Sequence, residues 1–250
     1  MSWDWEPSVV IGCIVLVAAY LTLARQRTPL QTLSFLSATL LLLVVLVSPL
    51  DMLGDIYLFS AHVLQHFLLA LVIPPLWILG VPALSLTRPW LVRSEHALSQ
   101  PVLAWSLGVG TMLAWHIPFL FNAALANPGL HIFQHLSFLI TGAIFWWPIF
   151  APAASRRIAP LPAIFYLFSA CTACSLLGAV LTFTPPGWYP AYLNRSGNPD
   201  ILRQIRAGWG LDARSDQQLG GMLMWVPGCM VYLTAILARV ARWYAAPERA

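Results

Sequence analysis

The sequence contains no lysine. A retinal-type Schiff base needs a lysine amine, so that chemistry is excluded. Charge of either sign is scarce, at 9% of residues, where soluble domains carry about 25%. The long apolar runs hold no Asp or Glu between their ends, which argues against a carboxylate proton relay within a membrane. No glycine-rich phosphate cradle is present, and no His-Glu-x-x-His, so a zincin-type base is missing too. The four cysteines, Cys13, Cys171, Cys174 and Cys229, all fall inside apolar runs and do not form a disulfide framework.

What the chain has in quantity is apolar residues, 59% of the total, with a mean hydropathy of +0.75. A membrane-crossing helix needs roughly 20 mostly apolar residues. Seven such runs lie near 8–24, 30–50, 57–81, 102–121, 130–150, 161–183 and 219–238. Backbone amides in lipid must be satisfied within their own segment, so the expected fold is all-α: a polytopic membrane bundle of seven transmembrane helices, one domain over 1–250. Trp3 and Trp5 can anchor the outer end of the first run, and Asp4 and Glu6 before it do not suit a signal peptide.

Arginine sets the expected orientation. Arg25, Arg27, Arg88, Arg93, Arg156, Arg157, Arg239, Arg242 and Arg249 fall on one side of a seven-span chain, which the positive-inside rule makes the cytoplasm. Arg195, Arg203, Arg206 and Arg214 lie in the long loop 184–218. Asp4, Glu6, Asp51, Asp55, Asp200, Asp212 and Asp216 fall outside, and only Glu95 and Glu248 inside. The N-terminus is therefore expected in the periplasm and the C-terminus in the cytoplasm. Basic charge clustered in inner loops is not a nucleic-acid footprint. In the outer loop, Trp188, Tyr189 and Tyr192 suit an interfacial belt, as do Trp146 and Trp147 at the inner end of the fifth run. The stretch PDILRQIRAGW suits a short surface helix. A weak repeat is also visible: HVLQHF opens the third run and HIFQHL the fifth, with Pro49 and Pro118 the same distance ahead of each.

That repeat carries four of the five histidines that fall in the outer half of the membrane: His62, His66, His116, His131 and His135. Histidines four apart share a helix face, so His62 and His66 form one pair and His131 and His135 another. His116, near the end of the fourth run, sits at a depth similar to His135. An ionisable residue inside a span points by default to function, and imidazole is the commonest metal ligand. Alternatively, each histidine only hydrogen-bonds a neighbouring helix. Imidazole suits copper, zinc and iron, and thioether adds a preference for reduced copper; Met52, Met222 and Met224 lie near the same face. Asp55, seven before His62, and Asp51 are candidates for partners of the ligands or for the entrance. Capping the third helix or facing water is the plainer reading of both. Cys171 and Cys174 sit among small residues and suit packing. His96, in a charged inner loop, reads as surface.

Five ordered strings then resemble one family. They are SPLDMLGDIYLFSAHVLQHFLL with PPLWILGVP, AWHIPFLFNAAL, NPGLHIFQHLSFLITGAIFWWP and DQQLGGMLMWVPG. They are similar to the CtaG family of cytochrome c oxidase assembly factors, over residues 48 to 228. The resemblance implies a seven-span protein of the bacterial inner membrane, not an enzyme, that helps supply copper to a haem-copper oxidase. Its partners would be oxidase subunits or other copper-handling assembly proteins, in the lipid bilayer. The family's histidines correspond to His62, His66, His116, His131 and His135, as metal ligands. Where many relatives carry Glu before the last of these, this chain has Gln134. Two other readings of the same residues stay open: a haem-binding membrane electron-transfer protein, and a metal-free chaperone of oxidase assembly.

Overall fold

The computed structural model describes residues 3–82, 95–193 and 197–245. Arg88, Arg93, Arg195, Arg249 and Glu248, used above for orientation, lie outside them. Helices and turns make up the described residues, and no strand occurs among them. The principal helices are α1 (Pro7–Leu23), α2 (Pro29–Val47), α3 (Phe59–Gly80), α4 (Pro101–Trp115), α5 (Pro118–Ala126), α6 (Pro128–Phe150), α7 (Pro160–Phe183) and α8 (Ala213–Tyr244).

Local chemistry sets where these helices start. α1, α2, α4, α5, α6 and α7 each begin on proline, whose fixed φ suits the first turn and whose missing amide would have had no helical partner there. Thr28 and Gln31 close a capping box on α2, and Asp212 and Ser215 close one on α8. Five helices, α2, α3, α6, α7 and α8, are long and apolar enough to cross a membrane; the bent pair α4–α5 makes a sixth if it counts as one span. α1 is apolar but shorter, at 17 residues. These are the helices of a multi-pass membrane protein, and its polarity is arranged accordingly. Leu33, Phe133, Phe165 and Leu233 face outward, while His62, Gln65, Gln134 and Asp216 are buried.

Two boundaries differ from the sequence reading. The run 102–121 is not one helix. Pro118 lacks an amide donor and pushes the residue before it out of helical geometry. Ile117 accordingly takes φ −63°, ψ 125°, and α4 and α5 meet at 73°. The last helix starts at its capping box and runs 32 residues, well beyond 219–238. Asp51 and Asp55 do not continue into the third helix: Pro49–Met52 leads into a π turn, Leu53–Tyr57, and Leu58 is extended at φ −131°, ψ 117°. The expected short helix before α8 is present as Pro199–Arg203, prolonged by the π turn Gln204–Gly208.

α7 and α8 form the most extensive helix pair. Glycine makes the close approach possible: a Cβ on Gly178 would stand 2.8 Å from the Gly221 carbonyl oxygen, and one on Gly221 would stand 2.7 Å from that of Gly178. Trp146 belongs to the core with Tyr232 and Phe150, not to an interfacial belt; its neighbour Trp147 is half-buried.

Candidate metal centre

α3 points His62 and His66 into the bundle, with ring centroids 4.2 Å apart. α6 presents His131 and His135 from the facing side, 4.1 Å apart. The two pairs meet: His62 lies 5.3 Å from His131, and His66 lies 5.5 Å from His135. His116 completes the group from the broken end of α4, its ring centroid 6.3 Å from that of His66. One nitrogen from each of His62, His66 and His131 can be chosen so that all three lie within 4.8 Å of one another. No other group of three His, Cys, Asp or Glu ligand atoms comes so close among the described residues.

These nitrogens lack hydrogen-bond partners. His66 is 3% exposed, and neither of its ring nitrogens has one. The same holds for both nitrogens of His62 and for Nε2 of His116 and His135. Most buried polar atoms in folded proteins are paired, so such a concentration of lone pairs is unusual and suits a cation. In His116, Nδ1 donates to the Met112 carbonyl at 2.7 Å. That bond fixes the tautomer and leaves the Nε2 lone pair free, the usual arrangement behind a ligating histidine.

Acidic groups stand beside the cluster. Asp55 Oδ1 lies 3.5 Å from His131 Nε2 and 3.8 Å from His62 Nδ1. Burial, reinforced by the neighbouring charge of Asp51, pushes the Asp55 carboxyl up to about 7. Asp51 accepts a hydrogen bond from Gln65 Nε2 at 2.6 Å, and Gln65 also reaches the Val45 carbonyl, tying α3 to the end of α2. The repeat-related Gln134 is fully buried, without a partner for either amide atom.

Asp216 holds the whole arrangement from a distance. It is completely buried on α8, and it accepts from the Phe59 amide at 2.9 Å, the Ser60 amide at 3.1 Å and the Ser60 hydroxyl at 2.6 Å. A carboxylate at a helix N-terminus satisfies orphan amides and favours the dipole. Here it comes from another helix and fixes α3 one turn before His62.

A strap of the chain between α7 and α8 roofs the site. Tyr192 donates to the Gly54 carbonyl at 2.6 Å and Tyr189 to the His116 carbonyl at 2.8 Å. Tyr189 stacks over Phe59 and lies against Phe121, whose ring is 4.9 Å from His62. Both tyrosines are buried, so they are not members of an interfacial belt. The cluster opens sideways instead, into a cleft of about 630 Å³ between α1, α2 and α6 that includes Asp4, Glu6, Asp51, His131 and His135.

The remaining candidates separate. Met224 is buried and lines a cavity beneath His66 and His116, whereas Met222 is 45% exposed on the outer surface of α8, away from the cluster. Cys171 and Cys174 do not face each other as a pair: Cys171 Sγ lies 2.9 Å from Cys229 Sγ, and Cys174 Sγ donates to the Met224 carbonyl. His96 is exposed and contacts Gln100 and Arg156.

Residues 14–246 match the protein family described as cytochrome c oxidase caa3 assembly factor. An uncharacterized protein of Mycobacterium leprae is 28% identical over 207 residues, and one of Mycobacterium bovis is 26% identical over 206. Each alignment covers 74% of this chain and 30% of the relative, so the chain spans under a third of the length of these curated relatives. No solved structure matches the chain.

Proposed function

We propose, since the chain belongs to the cytochrome c oxidase caa3 assembly factor family, that it binds copper at its histidine cluster and passes it to an oxidase subunit or a copper-handling partner. The observation that carries this reading is the trio His62, His66 and His131, with ligand atoms within 4.8 Å of one another and both nitrogens of the central His66 without hydrogen-bond partners. His116 and His135 are the further ligands, Asp55 the adjacent carboxylate, and Asp4, Glu6 and Asp51 the acidic mouth through which the cation arrives. Nitrogen donors suit copper among other transition metals, and the oxidase connection selects it. Ligand exchange from imidazole to imidazole moves the ion without covalent chemistry, so the protein acts as a carrier and not as an enzyme.

Rings packed 4.1–6.3 Å apart against Phe121 and Phe138 suit an ion between nitrogens better than a macrocycle between them. The test is metal analysis with a visible spectrum on purified full-length protein, beside oxidase activity in cells that lack it. Stoichiometric copper without a Soret band is the expected result. A Soret band in place of copper replaces this reading with haem binding. Metal-free protein that still restores the oxidase replaces it with a chaperone role.

The same reading places seven crossings in the bacterial inner membrane. α1 is the first crossing, and the bent pair α4–α5 the fourth. At 1.5 Å per residue α1 is about 25 Å long, enough for a thin stretch of bilayer. A reporter fused after Ala250 is expected in the cytoplasm, and one inserted within 190–215 in the periplasm. A periplasmic C-terminus overturns the seven-crossing count and with it the outward placement of the histidines.

A further inference from the structure

At the end of the bundle away from the histidines, three arginines gather. α6 carries the chain about 29 Å from His131 to Phe150 at 1.5 Å per residue, close to the roughly 30 Å of a bilayer's hydrocarbon core. The segment that follows, 151–159, meets the last turns of α8. Arg157 donates from Nε to the Ala151 carbonyl at 2.7 Å and from Nη2 to the Pro152 carbonyl at 3.4 Å. Arg239 donates from Nη2 to the Ile158 carbonyl. These bonds hold two half-buried arginines on neighbouring stretches of chain. Arg242 follows Arg239 by three on the same helix, so the two are neighbours on its surface. It is exposed, and among the described residues it has no hydrogen-bond partner. Burial, and after it the charge of Arg242, holds the Arg157 guanidinium below its ordinary value. The charges of Arg157 and Arg242 also act on Arg239.

We propose that Arg157, Arg239 and Arg242 bind the headgroup of an anionic phospholipid, in the leaflet opposite the histidines. Among the described residues no carboxylate forms an ion pair with any of the three; Glu95, at the same end, is taken by Arg156 at 3.3 Å. Like charges held together without a counter-charge repel, and a phosphate relieves that. Guanidinium grips phosphate through two parallel N–H bonds, and it keeps its charge throughout the physiological range. Nη1 of Arg157 and the whole head of Arg242 have no partner within the described chain and are free for those bonds. The surroundings favour a lipid over a free anion. Trp243 and Tyr244 are exposed beside the cluster, with ring centroids 5.8 Å apart, and such aromatics sit at headgroup depth. Leu233 and Leu237, exposed on the same helix toward the bilayer centre, give acyl chains an apolar wall. Basic pockets between membrane helices recognise anionic headgroups in this way. Three cations match two phosphates better than one, so cardiolipin should bind more tightly than phosphatidylglycerol. A bound headgroup ties the turn between α6 and α7 to α8.

The test is native mass spectrometry of the full chain, released from micelles that hold equal amounts of cardiolipin, phosphatidylglycerol and phosphatidylcholine. Wild type is expected to retain cardiolipin over phosphatidylcholine by at least about fivefold, the worth of one well-placed arginine. Added cardiolipin should also raise its melting temperature, as any ligand of the folded state does. Arg157→Gln with Arg242→Gln should bring cardiolipin retention down to that of phosphatidylcholine. Arg25→Gln removes a charge from the same membrane end but outside the cluster, and it should change neither reading. A monodisperse elution profile reports that the variants are folded. Should the double variant not fold, Arg242→Gln alone, which gives up no hydrogen bond within the described chain, must still lower cardiolipin retention about twofold. Wild type that retains the three lipids equally, or a folded double variant that keeps wild-type retention, overturns the site. Inorganic phosphate that raises the melting temperature as far as cardiolipin does assigns the cluster to a free anion and overturns the lipid. None of these outcomes depends on whether the histidines carry copper.

Discussion

Replacing His66 with alanine is expected to abolish copper binding and oxidase maturation while the protein remains at its normal level in the membrane. The expectation follows from what His66 does not do. Neither ring nitrogen has a hydrogen-bond partner, so the substitution strands no donor or acceptor, and the protein loses the ring's packing, chiefly against His62 and Phe138, 4.2 and 4.5 Å away. For the metal the loss is large. Even changes to groups that merely orient a ligand cost about 10–100-fold in affinity, and removing one of three or four ligands exceeds that. A histidine that only bonded a neighbouring helix would contribute roughly 0.6 to 2 kcal/mol, and its loss would leave any metal in place. His135→Ala is expected to act in the same direction, and His96→Ala to change neither copper nor oxidase. Copper per protein, oxidase activity and membrane abundance, measured side by side, decide the matter. Full copper in the His66 and His135 variants would sink the metal centre.

Asp216→Ala is expected to fail in the opposite way, through the fold. The carboxylate accepts three hydrogen bonds, from the Phe59 amide and from the amide and hydroxyl of Ser60, and it is wholly buried. Alanine leaves three buried donors unpaired. At about 1–3 kcal/mol for each stranded group, the loss amounts to roughly 3–9 kcal/mol. Native proteins hold only about 5–15 kcal/mol in total. Membrane abundance should fall steeply and the detergent-solubilised protein should melt well below wild type. Asp216→Asn, which keeps one carbonyl acceptor, is expected to fall between the two. An unchanged melting temperature for Asp216→Ala would show that α3 does not depend on this cap.

The contrast between these two residues shows what the sequence makes legible. Histidine pairs four apart are a local signal, because the helical repeat alone puts them on one face, and the structure brings all five outer histidines into one group. Apolar runs are equally local signals, and five of the helices they form are long and apolar enough to cross a membrane, or six with the bent pair. Asp216 acts on an amide 157 positions away, and nothing in its own neighbourhood announces that. The break at Ile117 was written in Pro118, yet a continuous apolar run conceals it. Asp55 does stand beside His62, but not because it is seven residues earlier; the π turn and extended Leu58 intervene, and the chain folds back to place it there. Cys171 finds Cys229 across a helix pair, whereas its neighbour Cys174 turns to Met224, a division that Cys-x-x-Cys spacing cannot reveal. Tyr189 and Tyr192 look like interfacial aromatics in sequence because their carbonyl partners, at His116 and Gly54, belong to distant segments.

The roof built by those tyrosines is fastened more firmly than the side of the cluster. Its hydroxyls are fastened to backbone carbonyls, so lifting it means breaking two bonds of about 1 kcal/mol each and unstacking Tyr189 from Phe59. The sideways cleft at His131 and His135 requires no such rearrangement. On the carrier reading, exchange with a partner is then expected to be paced by how quickly imidazole releases the ion and not by loop motion. On the same reading, a receiving partner is expected to approach along α1 and α6, where the cleft opens, and not over the roof.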